Sequence, residues 1–251
     1  MATTVNKPEA AARVNLPGRR YDRWFFMAMV ILLIAVVAIG FAPTYYLAGV
    51  FRAPLPNPIL HIHAVVFTSW MLLLLVQTGL VSARKVQLHS KLGVAGFILA
   101  GLMVVMALLT ASDAMARATS SPHSEAILGS LVVSFVEAFV FGTLAAWAYA
   151  LRRNPAAHKR LILIATAGLT GAAFFRWHVS FLYHNAVADD YAVSIFLVLL
   201  AAYDLWSTHR IQRATLWGSV FQISMKQLFI RVVGPSAAWH LFAHWVQSLN
   251  I

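Results

Sequence analysis

The sequence contains no cysteine and few charged residues. The absence of cysteine among 251 residues excludes disulfide bonds, cysteine-ligated iron–sulfur clusters and covalent c-type haem attachment. Any metal site must therefore be built from histidine and carboxylate side chains. Charged residues make up 11% of the chain, whereas a typical soluble domain carries about 25%. The chain thus lacks the surface charge that a water-soluble protein of this size needs.

Apolar residues, in contrast, make up 61% of the chain and fall into seven long runs. A helix of about 20 apolar residues crosses the hydrocarbon core of a bilayer. We therefore predict an all-α polytopic membrane protein with a basic N-terminal segment, residues 1–23, and a single seven-helix domain, residues 24–251. The seventh run could continue past Gly234 and Pro235 to about residue 248. The runs are 24–42, 60–81, 92–111, 127–151, 161–182, 191–206 and 216–233.

The basic residues are distributed unevenly between the two sides of these runs. Of the 19 Lys and Arg residues, 14 lie before the first run or in the loops after the second, fourth and sixth runs, while the opposite loops contain Arg52 and Arg117. Lys and Arg mark cytoplasmic loops, so the N-terminus is predicted to be cytoplasmic and the C-terminus external. The net charge of +11 follows from this topology and does not indicate nucleic-acid binding. We predict a multi-pass protein surrounded by the lipid of a bacterial inner membrane.

Histidines are concentrated towards the predicted outer side, where the second run begins with His61 and His63. His63, Trp70 and Gln77 are seven residues apart and therefore share one helix face. Because unsatisfied polar groups are costly in hydrocarbon, this stripe should face the bundle, with His61 at the helix entrance. The stripe could serve a cofactor, or it could only form hydrogen bonds between helices.

His178 and Arg176 lie at the outer end of the fifth run, at the predicted depth of His63. Two imidazoles on neighbouring helices with a nearby cation could hold a b-type haem, with His63 and His178 as ligands and Arg176 near the propionates. The alternative is an aromatic belt at the membrane interface, to which Trp177 would belong. A second haem site, or contacts with lipid headgroups, could be formed by His89, His158 and His209 on the cytoplasmic rim.

His240 and His244 are four residues apart, so on a helix they share a face, as a two-histidine metal site requires. They lie beyond Gly234 and Pro235, in a segment that could be an outer cap. The zinc-protease pattern, in which an acidic residue follows the first histidine, is absent here. A composite outer site for copper, iron or zinc would draw on His61, His63, His178, His240 and His244.

A few charged residues fall inside the predicted runs. Glu137 and Lys226 are predicted near the bilayer midplane, Arg231 in the outer third, and Asp204 near the inner end of the sixth run. A charge at the membrane centre costs at least ~2.5 kcal/mol, so Glu137 is predicted to pair with Lys226 or Arg231. Such a pair either takes part in translocation or joins two helices as a structural ion pair.

Taken together, these motifs resemble a family of multi-pass bacterial inner-membrane proteins that has no established activity. The pattern extends from about Pro43 to Trp245. Duplicated helical hairpins are indicated by His-Ser-Lys-Leu and His-Lys-Arg-Leu, which open the third and fifth runs. More loosely, the architecture is similar to that of di-haem b-type membrane cytochromes, which implies histidine ligands at helix ends. The family pattern comprises His61-x-His63, Trp70, Gln77, His89-Ser-Lys-Leu-Gly93, His158-Lys-Arg-Leu161 and Ala214-Thr-Leu-Trp-Gly218.

The leading functional hypothesis from the sequence is electron transfer. A histidine-lined interior site near the outer face would bind haem b or a metal ion, with quinone entering from the lipid. One alternative is a proton-coupled transporter that uses Glu137, Lys226 and Arg231. The other is a non-catalytic subunit or assembly factor of a respiratory or photosynthetic complex.

Overall fold

The computed structural model describes residues 18–54, 57–118, 124–182 and 186–249, and every regular element in these ranges is helical. The all-α fold class is therefore confirmed. Two π-helical turns, Ala42–Tyr46 and Phe229–Val233, follow α1 and α10. The α-helices are α1 Gly18–Phe41, α2 Ala48–Phe51, α3 Pro58–Ser82, α4 Val86–Ala118, α5 Ser124–Ser130, α6 Val132–Ala150, α7 Pro155–Gly168, α8 Gly171–Phe174, α9 Ala186–Thr208, α10 Arg213–Leu228 and α11 Ala237–Ser248.

Within these ranges, five helical segments are long and apolar enough to cross a bilayer, with mean hydropathies from 1.5 to 2.9. They correspond to the first, second, third, fourth and sixth predicted runs. Their length and composition indicate an integral membrane protein. The segments are Tyr21–Tyr46, Pro58–Ser82, Val86–Ala118, Ser124–Ala150 and Ala188–Thr208.

The fifth and seventh predicted runs take a different form. The fifth is divided among α7, the short α8 and a non-helical stretch that reaches residue 182. With 14 residues, α7 is about 21 Å long, less than the hydrocarbon thickness of about 30 Å. The seventh run forms α10 and its π-helical turn, and it contains the polar residues Gln222, Lys226 and Gln227.

Helix α7 lies at the centre of the bundle. It packs against α1, α6, α9 and α10, while α1, α3, α4, α6, α10 and α9 contact one another in that order and close a ring. Residues 163–167 of α7 are at most 3% exposed. Because successive helical residues point about 100° apart, five consecutive buried residues mean that α7 is covered on all sides. A central helix shielded from lipid can be short and interrupted.

Polar caps set the start of three helices. Asn57 accepts a hydrogen bond from the Leu60 amide and precedes Pro58 at the start of α3. Asn154 accepts one from the Ala157 amide and precedes Pro155 at the start of α7. These are the usual N-cap and first-turn proline preferences. Ser236 caps α11 in the same way, so the predicted seventh run ends and a separate helix begins.

Helix α11 covers one end of α4 and α5. The indole of Trp239 donates to the carbonyl of Leu128, and the side-chain amide of Gln247 donates to the carbonyl of Met115. Trp239, Leu128 and Met115 belong to a small apolar cluster that is separate from the main core. These contacts place α11 as a cap on the bundle.

Helices α1 and α8 touch backbone to backbone. A Cβ atom added at Gly40 of α1 would overlap the carbonyl of Ala173 in α8. Only glycine permits two helices to approach this closely. The segments that follow the two helices therefore start from a common point.

A buried ion pair joins α7 and α9 near the end of the bundle where α7 begins. Arg160 and Asp204 pair through their side chains, which are 3% and 0% exposed. The Asp204 carboxylate also accepts from the Gln212 amide at 3.0 Å and from the Thr215 hydroxyl at 2.5 Å. Nearby, Asp22 accepts from Lys159 and from Tyr203, which ties α1 to the same end. A pair with this many hydrogen bonds meets the condition under which a buried charge is tolerated.

Replacing Asp204 with asparagine should strongly destabilise the protein, because Arg160 would keep its charge in a buried site without a counter-ion. Breaking such a pair costs about 3–5 kcal/mol, and a large fall in the thermal unfolding temperature in detergent is the expected result. The matched control is Asp113→Asn, since the pair of Asp113 with Arg117 is partly exposed and is worth only about 0–1 kcal/mol. Equal temperature shifts in the two variants would contradict this account, whereas the R160M/D204L double variant should recover much of the loss.

Candidate functional site at the break in the central helix

The central helix is interrupted between Gly168, the last residue of α7, and Gly171, the first residue of α8. The amides of Leu169 and Thr170 bond to carbonyls three residues earlier, at Thr166 and Ala167. Bonds of this spacing tighten the last turn and end the α-helical ladder. In membrane proteins, interrupted helices inside a bundle are a common place for binding sites.

An ionic cluster lies against this break. The Lys226 ammonium of α10 is 2.6 Å from an oxygen of Asp190 in α9 and 3.5 Å from an oxygen of Glu137 in α6. The Gln227 amide also donates to Asp190, at 3.2 Å. The three charged side chains are 14–23% exposed. Of the two partners predicted for Glu137, the structure therefore places Lys226 within ion-pair distance.

The two glycines at the break leave room for these side chains. A Cβ atom at Gly171 would lie 3.4 Å from both the Glu137 carboxylate and the Lys226 ammonium, and one at Gly168 would lie 3.2 Å from the Gln222 amide nitrogen. The Gln222 side-chain oxygen is buried without a hydrogen-bond partner among the described residues. A cavity of about 10 Å³ adjoins Gly168, Glu137, Gln222 and Lys226, which is room for about one water molecule.

Two further charged residues lie close to the cluster. Asp189 is 6% exposed, and within the described ranges one of its carboxylate oxygens has no hydrogen-bond partner. The Arg176 guanidinium donates to the Ala172 carbonyl at 2.6 Å and lies 4.7 Å above the ring of Phe41. It interacts electrostatically with both Asp189 and Glu137. The cluster thus contains three carboxyl groups and two cations.

A pocket of about 380 Å³ opens beside Arg176 at the end of the bundle opposite the Arg160–Asp204 pair. It is formed by the segments that follow α1, α2 and α8. We call it the mouth pocket. Its lining residues are Pro43, Thr44, Phe51, Ala53, Phe175, Arg176 and His178.

The predicted stripe on α3 lies against neighbouring helices. His63 contacts the Thr110 hydroxyl of α4 at 3.4 Å through its Nδ1, and the indole of Trp70 donates to Thr166 of α7 at 3.2 Å. The side-chain oxygen of Gln77 is buried without a partner in the described part of the chain. His61 lies at the helix entrance, where its Nδ1 is 3.2 Å from the Tyr45 hydroxyl.

His240 and His244 lie on α11, where they share a carboxylate that the sequence did not single out. Glu125 of α5 lies 2.9 Å from the Nδ1 of His240 and 3.0 Å from the Nε2 of His244. Across the ranges that the structure describes, no group of three or more His, Asp or Glu side chains is arranged to hold a metal ion. The composite metal site therefore stays a prediction.

Arg231 does not join the cluster around Glu137. It lies in the second π-helical turn with its side chain exposed, and no carboxylate in the described ranges forms an ion pair with it. Lys226, five residues earlier, occupies the interior position instead. Both cations were predicted as partners for Glu137, and they differ in that Lys226 is largely buried while Arg231 is exposed.

At the opposite end of the bundle, the histidines of the two repeated tetrapeptides face each other. The rings of His89 and His158 are 6.4 Å apart, centre to centre. His158 also contacts the Ala148 carbonyl at 2.9 Å, and the buried Nδ1 of His89 has no hydrogen-bond partner among the described residues. The matching tetrapeptides therefore place two imidazoles close together, with their planes at 84°, near the starts of α4 and α7.

The sequence analysis missed Asp189 and Asp190 because it began the sixth run at residue 191. That run, 191–206, is shorter than the roughly 20 residues a span needs. The shortfall was a usable signal, since extending the helix towards its N-terminus brings both carboxylates into α9. The structure begins α9 at Ala186.

Comparison with known proteins adds no further assignment to this geometry. The resemblance to a bacterial inner-membrane family, drawn from the motifs alone, stays a prediction. No family model matches the chain, and no curated protein or solved structure shows a significant match to it.

Proposed function

We propose that this chain is a seven-span bacterial inner-membrane transporter in which protons move through the ionic cluster at the α7–α8 break. The observation that carries the proposal is the position of Lys226 between Glu137 and Asp190, directly against that break. In known transporter architectures, interrupted helices and buried ionisable groups near the midplane form the sites for substrates and coupling ions.

Helix lengths support the count of seven spans. Residues 155–174, which comprise α7, its break and α8, rise about 30 Å at about 1.5 Å per residue. The continuous helical segment 213–233 is of similar length, so both can cross a hydrocarbon core of about 30 Å. The break after α7 is tolerated because other helices shield it from lipid, and the polar residues Gln222, Lys226 and Gln227 of α10 lie on the side of that helix that faces its neighbours. The basic loops support a cytoplasmic N-terminus.

Charge balance identifies the proton-carrying groups. Lys226 is within ion-pair distance of Glu137 and Asp190, whereas no described cation is within ion-pair distance of the third carboxyl, Asp189, which Lys226 and Arg176 influence from farther away. Three buried carboxylates are not neutralised by two cations, so the cluster is electrically balanced when one carboxyl holds a proton. Asp189 or Glu137 would take up a proton from one side and release it towards the other. The cavity beside Gln222 would hold a water molecule that relays it.

Single-cysteine labelling tests the proposed topology. The chain has no cysteine of its own, so Arg52→Cys and Arg153→Cys each provide one labelling site. In intact cells, an impermeant maleimide should label position 52 and leave position 153 unlabelled until the membrane is opened. Labelling of both positions in intact cells, or the reverse pattern, would contradict the proposed orientation.

Replacing Glu137 with glutamine should strongly reduce proton movement, because one of the two carboxyl groups proposed to take up the proton is lost. Proteoliposomes on a solid-supported membrane would be given a pH jump, alone and with a panel of small solutes, and the charge displacement recorded. We expect at least a roughly tenfold loss, as is common when a group that transfers protons is removed.

Glu125→Gln is the matched control, because Glu125 lies on α5 and, among the described residues, its ion-pair partners are the two histidines of α11. This variant should retain the wild-type signal. A wild-type signal equal to that of protein-free liposomes throughout the panel would overturn the transport proposal. So would a Glu137→Gln signal equal to that of the wild type.

Electron transfer is the second candidate, and the facing histidines at the inner end favour it. Two iron–imidazole bonds of about 2 Å each put the ring centres roughly 6 Å apart, which is close to the 6.4 Å between His89 and His158. The spacing of these two residues therefore fits a b-type haem, which His158 would bind through its Nε2, since its Nδ1 contacts the Ala148 carbonyl. A bound haem would supply one-electron redox chemistry.

An optical spectrum tests this second candidate. Protein purified in mild detergent from haem-supplemented cells should show a Soret band, and His89→Ala or His158→Ala should remove it. His209→Ala is the control, since it leaves both facing rings in place. A wild-type spectrum without a Soret band would rule the haem out.

A further inference from the structure

We propose that the mouth pocket binds a small monocarboxylate with a compact apolar body, held through its carboxylate by Arg176. The binding of this molecule is inferred from the pocket alone. Its role as the transported species rests on the proposed transport function.

The size and lining of the pocket set the apolar part of the ligand. A volume of about 380 Å³ lies at the lower end of the range of about 300–1,000 Å³ for small-molecule sites. Phe51 and Phe175, together with Pro43 and Ala53, contribute apolar surface. Such walls suit a single aromatic ring or a short branched chain.

Arg176 sets the polar part of the ligand. One of its nitrogens donates to the Ala172 carbonyl, and its planar face is covered by Phe41. A guanidinium carries five N–H donors arranged in a fork that matches a carboxylate. Among the described residues, no carboxylate lies within ion-pair distance of Arg176. The cation therefore remains available for an anion from outside the chain.

The pocket favours one negative charge over two. Among the described lining residues, Arg176 is the only arginine or lysine, and the other polar side chains are those of Thr44 and His178. A doubly charged phosphate or sulfate in this apolar setting would keep uncompensated charge, which is costly to bury. A monocarboxylate brings a single charge, which Arg176 and one further proton taken up by the neighbouring carboxyl groups can balance.

Arg176 also links the pocket to the ionic cluster. The charged and titratable groups around it are Glu137 on α6, Asp189 on α9, His63 on α3 and His178 beyond α8, with Lys226 next to Glu137. Protonation of any of these carboxyl or imidazole groups makes the surroundings of Arg176 more positive. Anion binding should therefore strengthen as the pH falls, and by reciprocity a bound anion should favour proton uptake.

Radiolabelled benzoate binding to the full chain in detergent tests the proposal, with benzamide as the competitor of equal size and no charge. We expect saturable benzoate binding that is tighter at pH 6 than at pH 8. Benzamide should bind roughly ten- to hundredfold more weakly, which is the effect of losing hydrogen bonds to a charged group. This comparison needs no variant, so it does not depend on a mutant protein folding.

Arg176→Gln should weaken benzoate binding by a similar factor. The benzoate affinity of Arg176→Lys should lie between those of the wild type and Arg176→Gln. Arg117→Gln is the control, because Arg117 pairs with Asp113 at the end of α4 and is not among the lining residues of the pocket. The absence of saturable benzoate binding up to the millimolar range would overturn the proposal. Equal benzoate and benzamide affinities, or equal losses in Arg176→Gln and Arg117→Gln, would overturn it as well.

The same preparation separates the two proposals. Glu137→Gln should still bind benzoate, because Glu137 does not line the mouth pocket. If the wild type binds benzoate but never moves protons, the pocket stands and the transport function fails. If protons move and benzoate does not bind, the transport function stands and the ligand proposal fails.

Discussion

The structure depends on the enclosure of α7 by a closed ring of other helices. In hydrocarbon, every backbone amide and carbonyl needs a partner, so a helix that meets lipid can hardly be short or interrupted. The ring removes that constraint from α7 and transfers it to the five long apolar segments. The long segments still carry interior charges, Glu137 on α6 and Asp190 and Asp204 on α9, and these side chains pair with Lys226 and Arg160 inside the bundle.

The two ionic sites that contact the central helix segment differ in how completely they are satisfied. At the start of α7, Asp204 has partners from Arg160, Gln212 and Thr215, and the pair is sealed from solvent. At the α7–α8 break, an oxygen of Asp189 and one of Gln222 lack partners among the described residues, and a water-sized cavity adjoins the cluster. A fully satisfied pair holds one arrangement, whereas the groups at the break keep hydrogen-bonding capacity that the described residues do not use. Function is therefore better sought at the break.

Hydrophobic periodicity and the placement of charges were sufficient to predict the positions of most helices and one ion pair. The all-α class, five of the seven runs and the packing of Trp70 against other helices follow from patterns within single helices. The pairing of Glu137 with Lys226 could be inferred because lone buried charges are costly. The shared role of Glu125 between His240 and His244 could not be inferred, since it depends on how α5 meets α11. The pairing of Arg160 with Asp204 could not be inferred either, because it is set by the packing of α7 on α9.

Gly40 connects two regions that are remote in the sequence. The backbones of α1 and α8 touch there, and the mouth pocket is built from the residues that leave these two helices, Pro43 on one side and Arg176 on the other. The width of the opening thus depends on the contact between Gly40 and Ala173, which is possible because Gly40 has no side chain. A related protein with alanine at this position would have its two walls farther apart and would admit a bulkier molecule. Ligand size in this architecture can therefore diverge without any change in the residues that touch the ligand.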